Sequence, residues 1–438
     1  MELYKLDKEE LEYLMLQKTH FNINYNTSNL YKNVYDRLSS LSKNSSKEVW
    51  CLVTNTARAL NYNASALSIP RDKEAYSGNA QVISCNRMVK LLDKLVQEDY
   101  LVFYKGGYLP DGSKIQSVYV FTDKYLTLWK NIDTTKELDT KPVIVIRDRE
   151  TKESLTNRGK TGVKQLSDLV NKFNHKLLET DIYVDGKPSC TQRYFRVYSD
   201  NLTLGGRFYN TVGGVQTMSK AMRSKITIDG KPVIELDFKA MHPSILYEQA
   251  WQANEAYVED WIDRVHGGSY NPYPYVSPFI SAETSDDSWV VRKVNKYALM
   301  VSLNAANFKQ AQLALANEWY NDLKYKGTDR RKYADLTFGL GVNGKPTFPA
   351  TNICKHLQDY NEPIAGAFFS DVGLALQNVE SEIIGKVIDA LISTDELLLP
   401  VHDSVIVKAE LKEDVLKMMH HAYSEVLGSD RFCIIEAK

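Results

Sequence analysis

Two short stretches put carboxylates where a soluble fold would not place them idly. "LPVHDSVIV" (399–407) sets His402, Asp403 and Ser404 between two runs of strand-forming residues. "KPVIELDFKAMHPSILYEQA" (231–250) gives a short apolar strand through Val233, Ile234 and Leu236 that ends at Asp237. A helix then begins near "HPSILYEQA", with Pro243 in its first turn, where a missing N–H costs nothing. A carboxylate leaving a buried strand is poorly solvated and is tolerated when a cation neutralises it. Two such aspartates can share two Mg²⁺ ions roughly 3.5–4 Å apart (Mn²⁺ being a possible substitute), the arrangement that drives in-line phosphoryl transfer. Glu235 alternates with Leu236 and reads as a structural neighbour on the opposite face.

In these motifs the chain resembles the DNA polymerase I (family A) polymerase superfamily, which includes the single-subunit phage RNA polymerases. "DFKAMHPSI" is similar to motif A and "VHDS" to motif C, which makes Asp237 and Asp403 the metal-binding catalytic pair that the resemblance implies. "RKVNK" supplies Arg292 and Lys296 in the manner of the fingers helix. The two lie one helical turn apart on one face, as two cations gripping a triphosphate must. "LGGRFYNTVGGVQTMSK" (204–220) is similar to the segment before motif A and points to Arg207 as a primer-template contact. "LQNVESEIIGKVIDAL" (376–391) is similar to the helix before motif C and points to Gln377 at the duplex minor groove. His402 is then a local or primer-end contact. The likeness covers about residues 200–410.

Sugar selection in this superfamily is steric. The fifth residue after the motif A aspartate is His242, bulky enough to exclude a ribose. Gln377 agrees with the DNA enzymes, whereas Ser404 stands where DNA enzymes usually carry Glu and RNA polymerases carry Ser. Asn304-Ala305 replaces the Tyr-Gly pair of the fingers helix, so Asn304 is placed at the nucleotide without a clear discriminating role. On balance the expected substrates are deoxynucleoside triphosphates and a DNA primer-template.

The elements that must position these groups begin with an N-terminal unit. "NLYKNVYDRLSSL" (29–41) and "EVWCLVTNTARALNYN" have helical spacing. Ser84 is a candidate N-cap for a helix over 84–97, in which Met88, Leu91, Leu92 and Leu95 recur at helical period. "YLVFYKGG" and "SVYVFT" follow as strands around the turn "PDG". Helix and then two-stranded wing resembles a winged helix-turn-helix, whose recognition helix would present Asn86, Arg87, Lys90 and Lys94 to DNA. Residues 136–165 are charged apart from one apolar strand and read as a linker. The tyrosine-rich "YNPYPYV" (270–276) falls in the fingers region, where it reads as core and loop rigidity rather than a base-stacking surface.

Composition sets the outer bounds. The 438 residues suffice for two or three domains, and 43% hydrophobic with 25% charged content is that of a globular protein. A formal charge of −1 gives no global basic field, so a polyanion must meet local basic surface. The five cysteines are scattered, which disfavours a zinc site or disulfide framework. The start "MELYKLDKEELEYLML" is acidic where a signal peptide is basic, and no apolar run has membrane-spanning length, so the expected location is cytoplasmic.

The expectation is therefore an α+β chain with three parts. Residues 1–135 form a winged-helix-like DNA-binding domain, 136–200 a linker and reduced thumb, and 201–438 a right-hand polymerase with an antiparallel palm sheet and helical fingers. The function implied is a DNA-directed DNA polymerase of a phage or mobile element, without proofreading because no spaced acidic exonuclease motifs precede residue 200. A single-subunit RNA polymerase or primase-like enzyme is the alternative. A catalytically inactive winged-helix replication or transcription factor is a third.

Overall fold

The computed structural model describes residues 29–438 except 43, 62–63, 77–82, 109–113, 133, 135–141, 157–160, 190–192, 211–213, 255–260, 263–270, 276, 279–280, 283–287, 324–335 and 338–348. Before residue 29 it describes 6, 10, 11, 14, 18–20 and 27. The "PDG" turn, Cys190, Tyr270 and Val276 thus lie outside the described residues.

In chain order the elements used below are α1 (Lys32–Ser39), α2 (Ser46–Asn61), β1 (Ala66–Ser68), α3 (Cys85–Gln97), β2 (Leu101–Tyr104), β3 (Val118–Phe121), β4 (Ile144–Arg147), α4 (Val163–Leu178) and β5 (Ile182–Val184). They continue with β6 (Tyr194–Ser199), β7 (Gly205–Asn210), β8 (Ile226–Ile228), β9 (Lys231–Phe238), α5 (Met241–Ala253), α6 (Ser288–Asn304), α7 (Phe308–Leu323) and α8 (Ala350–Tyr360). Last come α9 (Gly373–Ile392), β10 (Leu399–Val401), β11 (Ser404–Lys408), α10 (Lys412–Leu427) and β12 (Ile435–Ala437). The class is mixed α+β, as the alternation of patterns implied. Among the described residues no helix is long and apolar enough to cross a membrane.

The chain divides into two compact units. The first comprises 1–143, 165–195 and 209–233. In it α3 starts where the sequence says it should: the Ser84 hydroxyl caps it by accepting from the Arg87 N–H. Met88, Leu91, Leu92 and Leu95 all turn into a core shared with α1 and α2. The strands β1, β3 and β2 form an antiparallel sheet in that order, with β3 in the middle. Arg71 ties β3 to α3, donating to Asp93 and to the Tyr119 hydroxyl, both at 2.7 Å.

The second unit comprises 144–164, 196–208 and 234–438. Here β4, inside the charged stretch, pairs in parallel with β6 through Arg196↔Ile144 to Ser199↔Arg147. From Ile234 onward β9 lies between β12 and β11, and β10 leads into β11 through the two-residue turn His402-Asp403, with Val401 opposite Ser404. β9 alternates as a half-buried strand must. Leu236 and Phe238 are buried, and the Phe238 ring meets Tyr423 of α10. Glu235 and Asp237 take the other face. α9 packs on α10 and α5, while α6 packs on α7 and α8.

Candidate active site

Each of the two aspartates sits beside a strained backbone. Ala240 makes the sharp turn from β9 into α5 with φ 50°, and His402 opens the hairpin turn with φ 57°. Left-handed conformations cost a residue with a Cβ of order 1 kcal/mol and persist where the fold holds them, often at functional sites. The two turns meet: the Phe238 N–H donates to the Asp403 carbonyl at 3.1 Å. Asp237 and Asp403, remote in sequence, are therefore on adjoining strand ends. Among the described residues no three of His, Cys, Asp and Glu gather into a metal-holding cluster, so the candidate is a carboxylate pair.

The electrostatics of the pair are unfavourable without a cation. Burial, followed by the charges of Glu380 and Asp237, pushes the Asp403 carboxyl up to about 6. Burial also raises Asp237, with Glu235 acting in the same direction, while a hydrogen bond and the charge of Lys438 and the charge of Lys296 oppose the rise. The Lys438 ammonium lies 2.6 Å from Asp237 Oδ2. Hard oxygen donors bearing excess negative charge are what Mg²⁺ and Mn²⁺ select. The donor set fits such an ion, with Lys438 as a competing cation already on one oxygen.

Beside Asp403 lies a buried polar group that ties α9 to β7 and α5. Glu380 of α9, 1% exposed, receives Arg207 bidentately, with Nε to Oε1 at 2.7 Å. His242 Nε2 donates to Glu380 Oε2 at 2.8 Å. Burial works to raise Glu380, but the His242 and Arg207 hydrogen bonds, reinforced by charge, outweigh it and hold the carboxyl below its usual range. Asn378 and Ser381 extend the seam: Asn378 Nδ2 donates to the Gly205 carbonyl at 3.1 Å, and the Ser381 hydroxyl accepts from buried Arg196 at 2.9 Å. Arg196 also donates to the Gly206 carbonyl at 2.7 Å and lies over the Phe208 ring. The Gly-Gly pair of the 204–220 stretch is required by this packing. Both residues have positive φ, and a Cβ on Gly206 would stand 2.5 Å from the Tyr198 ring.

Arg292 and Lys296 sit on aromatic faces. Arg292 lies over Tyr273 and Tyr275 (5.4 and 5.6 Å to the ring centres), and exposed Lys296 lies 5.9 Å from the Tyr273 centre. Arg292 Nε is buried and has no hydrogen-bond partner among the described residues. Tyr273 is buried, and burial raises its hydroxyl, opposed by Arg292 and aided by the charge of Asp403. That ring thus lies against both cations and within electrostatic reach of Asp403.

The remaining sequence-derived residues fall as follows. Gln377 is half-buried on α9, one turn before Glu380. His402 is exposed at the hairpin tip. Asn304 is committed locally: its Nδ2 donates to the Met300 carbonyl at 2.7 Å, and its oxygen abuts Gly373, where a Cβ would be 1.8 Å away. Ser404 is buried and donates to Glu235 Oε1 at 3.0 Å. In the first unit Asn86, Arg87 and Lys90 are exposed on α3. Arg87 also donates through Nε to buried Glu48 at 3.1 Å, whereas Lys94 pairs with Glu98 at 2.9 Å. Sequence reasoning missed Glu380, Lys438 and Arg196. Only Glu380 left a signal, three residues beyond Gln377 on the same helix face.

No protein-family model matches the chain, and no curated protein matches it. Among solved structures it is similar to the POL domain of Pol1 from M. smegmatis in complex with DNA primer-template and dNTP, at 12% sequence identity and a TM-score of 0.30. The alignment covers 96% of this chain and 66% of that one, so this chain spans about two thirds of that domain.

Proposed function

We propose that the second unit is a nucleic-acid polymerase, a nucleotidyltransferase that extends a DNA primer on a template with deoxynucleoside triphosphates. The observation that carries this reading is the meeting of the β9 and β10–β11 ends, which puts Asp237 beside Asp403 as two partly buried carboxylates, with Lys438 the cation paired to Asp237. Two Mg²⁺ ions held by Asp237 and Asp403 would supply the activation of the primer 3′-hydroxyl and the charge needed by the departing pyrophosphate. Arg292 and Lys296 bind the triphosphate; Arg292 lies over Tyr273 and Tyr275 and Lys296 over Tyr273, and among the described residues Arg292 Nε has no acceptor. His242, fixed by Glu380, contributes bulk beside the sugar. Arg207 spends its fork on Glu380, so its contact to primer-template is made with what that pair leaves exposed.

The first unit is read as a winged-helix module. Support comes from the order β1–β3–β2 behind α3 and from the exposure of Asn86, Arg87 and Lys90 on that helix. A compact polymerase bearing such a module suits a phage or mobile element that starts copying at a chosen sequence. Ser404 in place of a glutamate favours, as the second reading, a single-subunit RNA polymerase.

Incubation of the full chain with Mg²⁺, a primed template and either dNTPs or NTPs tests these readings. Extension with dNTPs supports the first reading and extension with NTPs the second. No extension under either condition, with intact DNA binding, favours an inactive replication or transcription factor. In the active case Arg292→Ala should raise the nucleotide KM about 10- to 100-fold, as loss of a charge-assisted phosphate contact does, with a smaller change in DNA affinity.

A further inference from the structure

Resting on the polymerase reading of the carboxylate pair, we infer that Lys438 is a tethered cation which a divalent ion must displace from Asp237, and that it thereby sets the site's metal affinity. Its position follows from strand register. β12 pairs with β9 as Leu236↔Ala437, Asp237↔Glu436 and Phe238↔Ile435. Residues two apart share a face, so Lys438 falls on the face of Glu436 and Asp237 and is the diagonal neighbour of Asp237 across the strands. From there its ammonium reaches Oδ2 at 2.6 Å.

The backbone, not the ammonium, holds this segment in place. The Lys438 N–H donates to the Glu235 carbonyl at 2.9 Å, and the Lys239 N–H donates to the Ile434 carbonyl at 2.8 Å. Lys239 and Glu436 add an ion pair at 3.2 Å. The Lys438 side chain is 31% exposed, against 17% for Asp237, so its four-carbon stem has solvent to swing into while its anchor stays put. A Mg²⁺ or Mn²⁺ on Asp237 would stand within a few ångströms of that ammonium, and in a partly buried setting two cations at that range repel strongly. Metal and lysine therefore exclude one another on this carboxylate. With no ion bound, Lys438 orients Asp237 and favours its charged form against the effect of burial, and the lysine has to leave before the ion can settle.

Mn²⁺ binding to the full chain, followed by electron paramagnetic resonance and by calorimetry without nucleotide or DNA, tests this. Lys438→Met should tighten Mn²⁺ binding about tenfold, and Lys438→Arg, which keeps the charge, should stay within about twofold of wild type. Equal or weaker binding by Lys438→Met would overturn the proposal. Asp237→Asn in the same titration separates the two levels of inference. Loss of Mn²⁺ binding there, with Lys438→Met unchanged, sinks the lysine's role and leaves the metal site standing. Undiminished binding by Asp237→Asn removes the metal site itself, and the lysine's role with it.

Discussion

Asp403→Asn should lose primer extension by roughly 10³-fold or more and yet be more stable than wild type in the absence of divalent ions. The loss follows from the reaction proposed: an amide is a poor ligand for a hard cation, and metal activation is worth several kcal/mol of barrier. DNA affinity should change little, because removing a metal ligand affects the chemical step more than duplex contacts. The gain follows from the carboxyl's surroundings. Its pKa, about 6 in the folded chain, lies above the ordinary carboxylate value of about 3.9. Folding therefore favours the protonated form, and wild-type stability falls as pH rises from about 4 to about 6, with the full penalty present above that range. At pH 7.5 the penalty is on the order of 2–3 kcal/mol. Asparagine removes it. Thermal unfolding in a chelator, followed from pH 4 to 8, should show the variant drawing ahead as pH rises and level with wild type at the acid end. Adding Mg²⁺ should stabilise the wild type and not the variant. Coincident unfolding curves across the range would contradict the account.

The second large effect is at Glu380. Glu380→Gln takes the negative charge from a 1% exposed position and leaves Arg207, itself largely enclosed, without its counter-ion. Removing one partner of a buried pair costs about 3–5 kcal/mol, and the partial exposure of Arg207 reduces this to about 2–4 kcal/mol. Denaturant titration at pH 7.5 should show the loss. A double-mutant cycle with Arg207→Met should return a coupling of more than 1 kcal/mol. The substitution also takes a like charge from beside Asp403, so the acid-side stability change traced above should move to lower pH. An unshifted denaturation midpoint would mean that the pair contributes no net stability. Whatever its size, the pair does a positioning job. It joins β7, α5 and α9, three elements from distant parts of the chain, beside Asp403.

Much of the local structure was legible in the sequence because it depends on neighbours a few residues away. The Ser84 cap and the Met88–Leu95 stripe give α3, since capping and helical period are local properties. The apolar run into Asp237, followed by Pro243, gives a strand-to-helix turn, and the two strand runs around His402-Asp403 give a hairpin. The residue types also named their chemistry: acids at strand ends, and two cations one helical turn apart.

What tertiary structure alone decided is which of those groups meet and which are already spoken for. Strand order in a sheet is set by packing across long loops, so nothing within either segment fixes that β9 and β11 are neighbours, or that β12 returns to lay Lys438 on Asp237. Burial is likewise a property of the assembled core. Arg207 and His242, read as nucleic-acid and sugar contacts, spend hydrogen bonds on Glu380 because α9 delivers a carboxylate into that space. Asn304 is turned against Gly373 for the same reason. A sequence specifies side-chain chemistry and short-range conformation; a side chain's freedom to act depends on desolvation and partners that exist only once distant segments have packed.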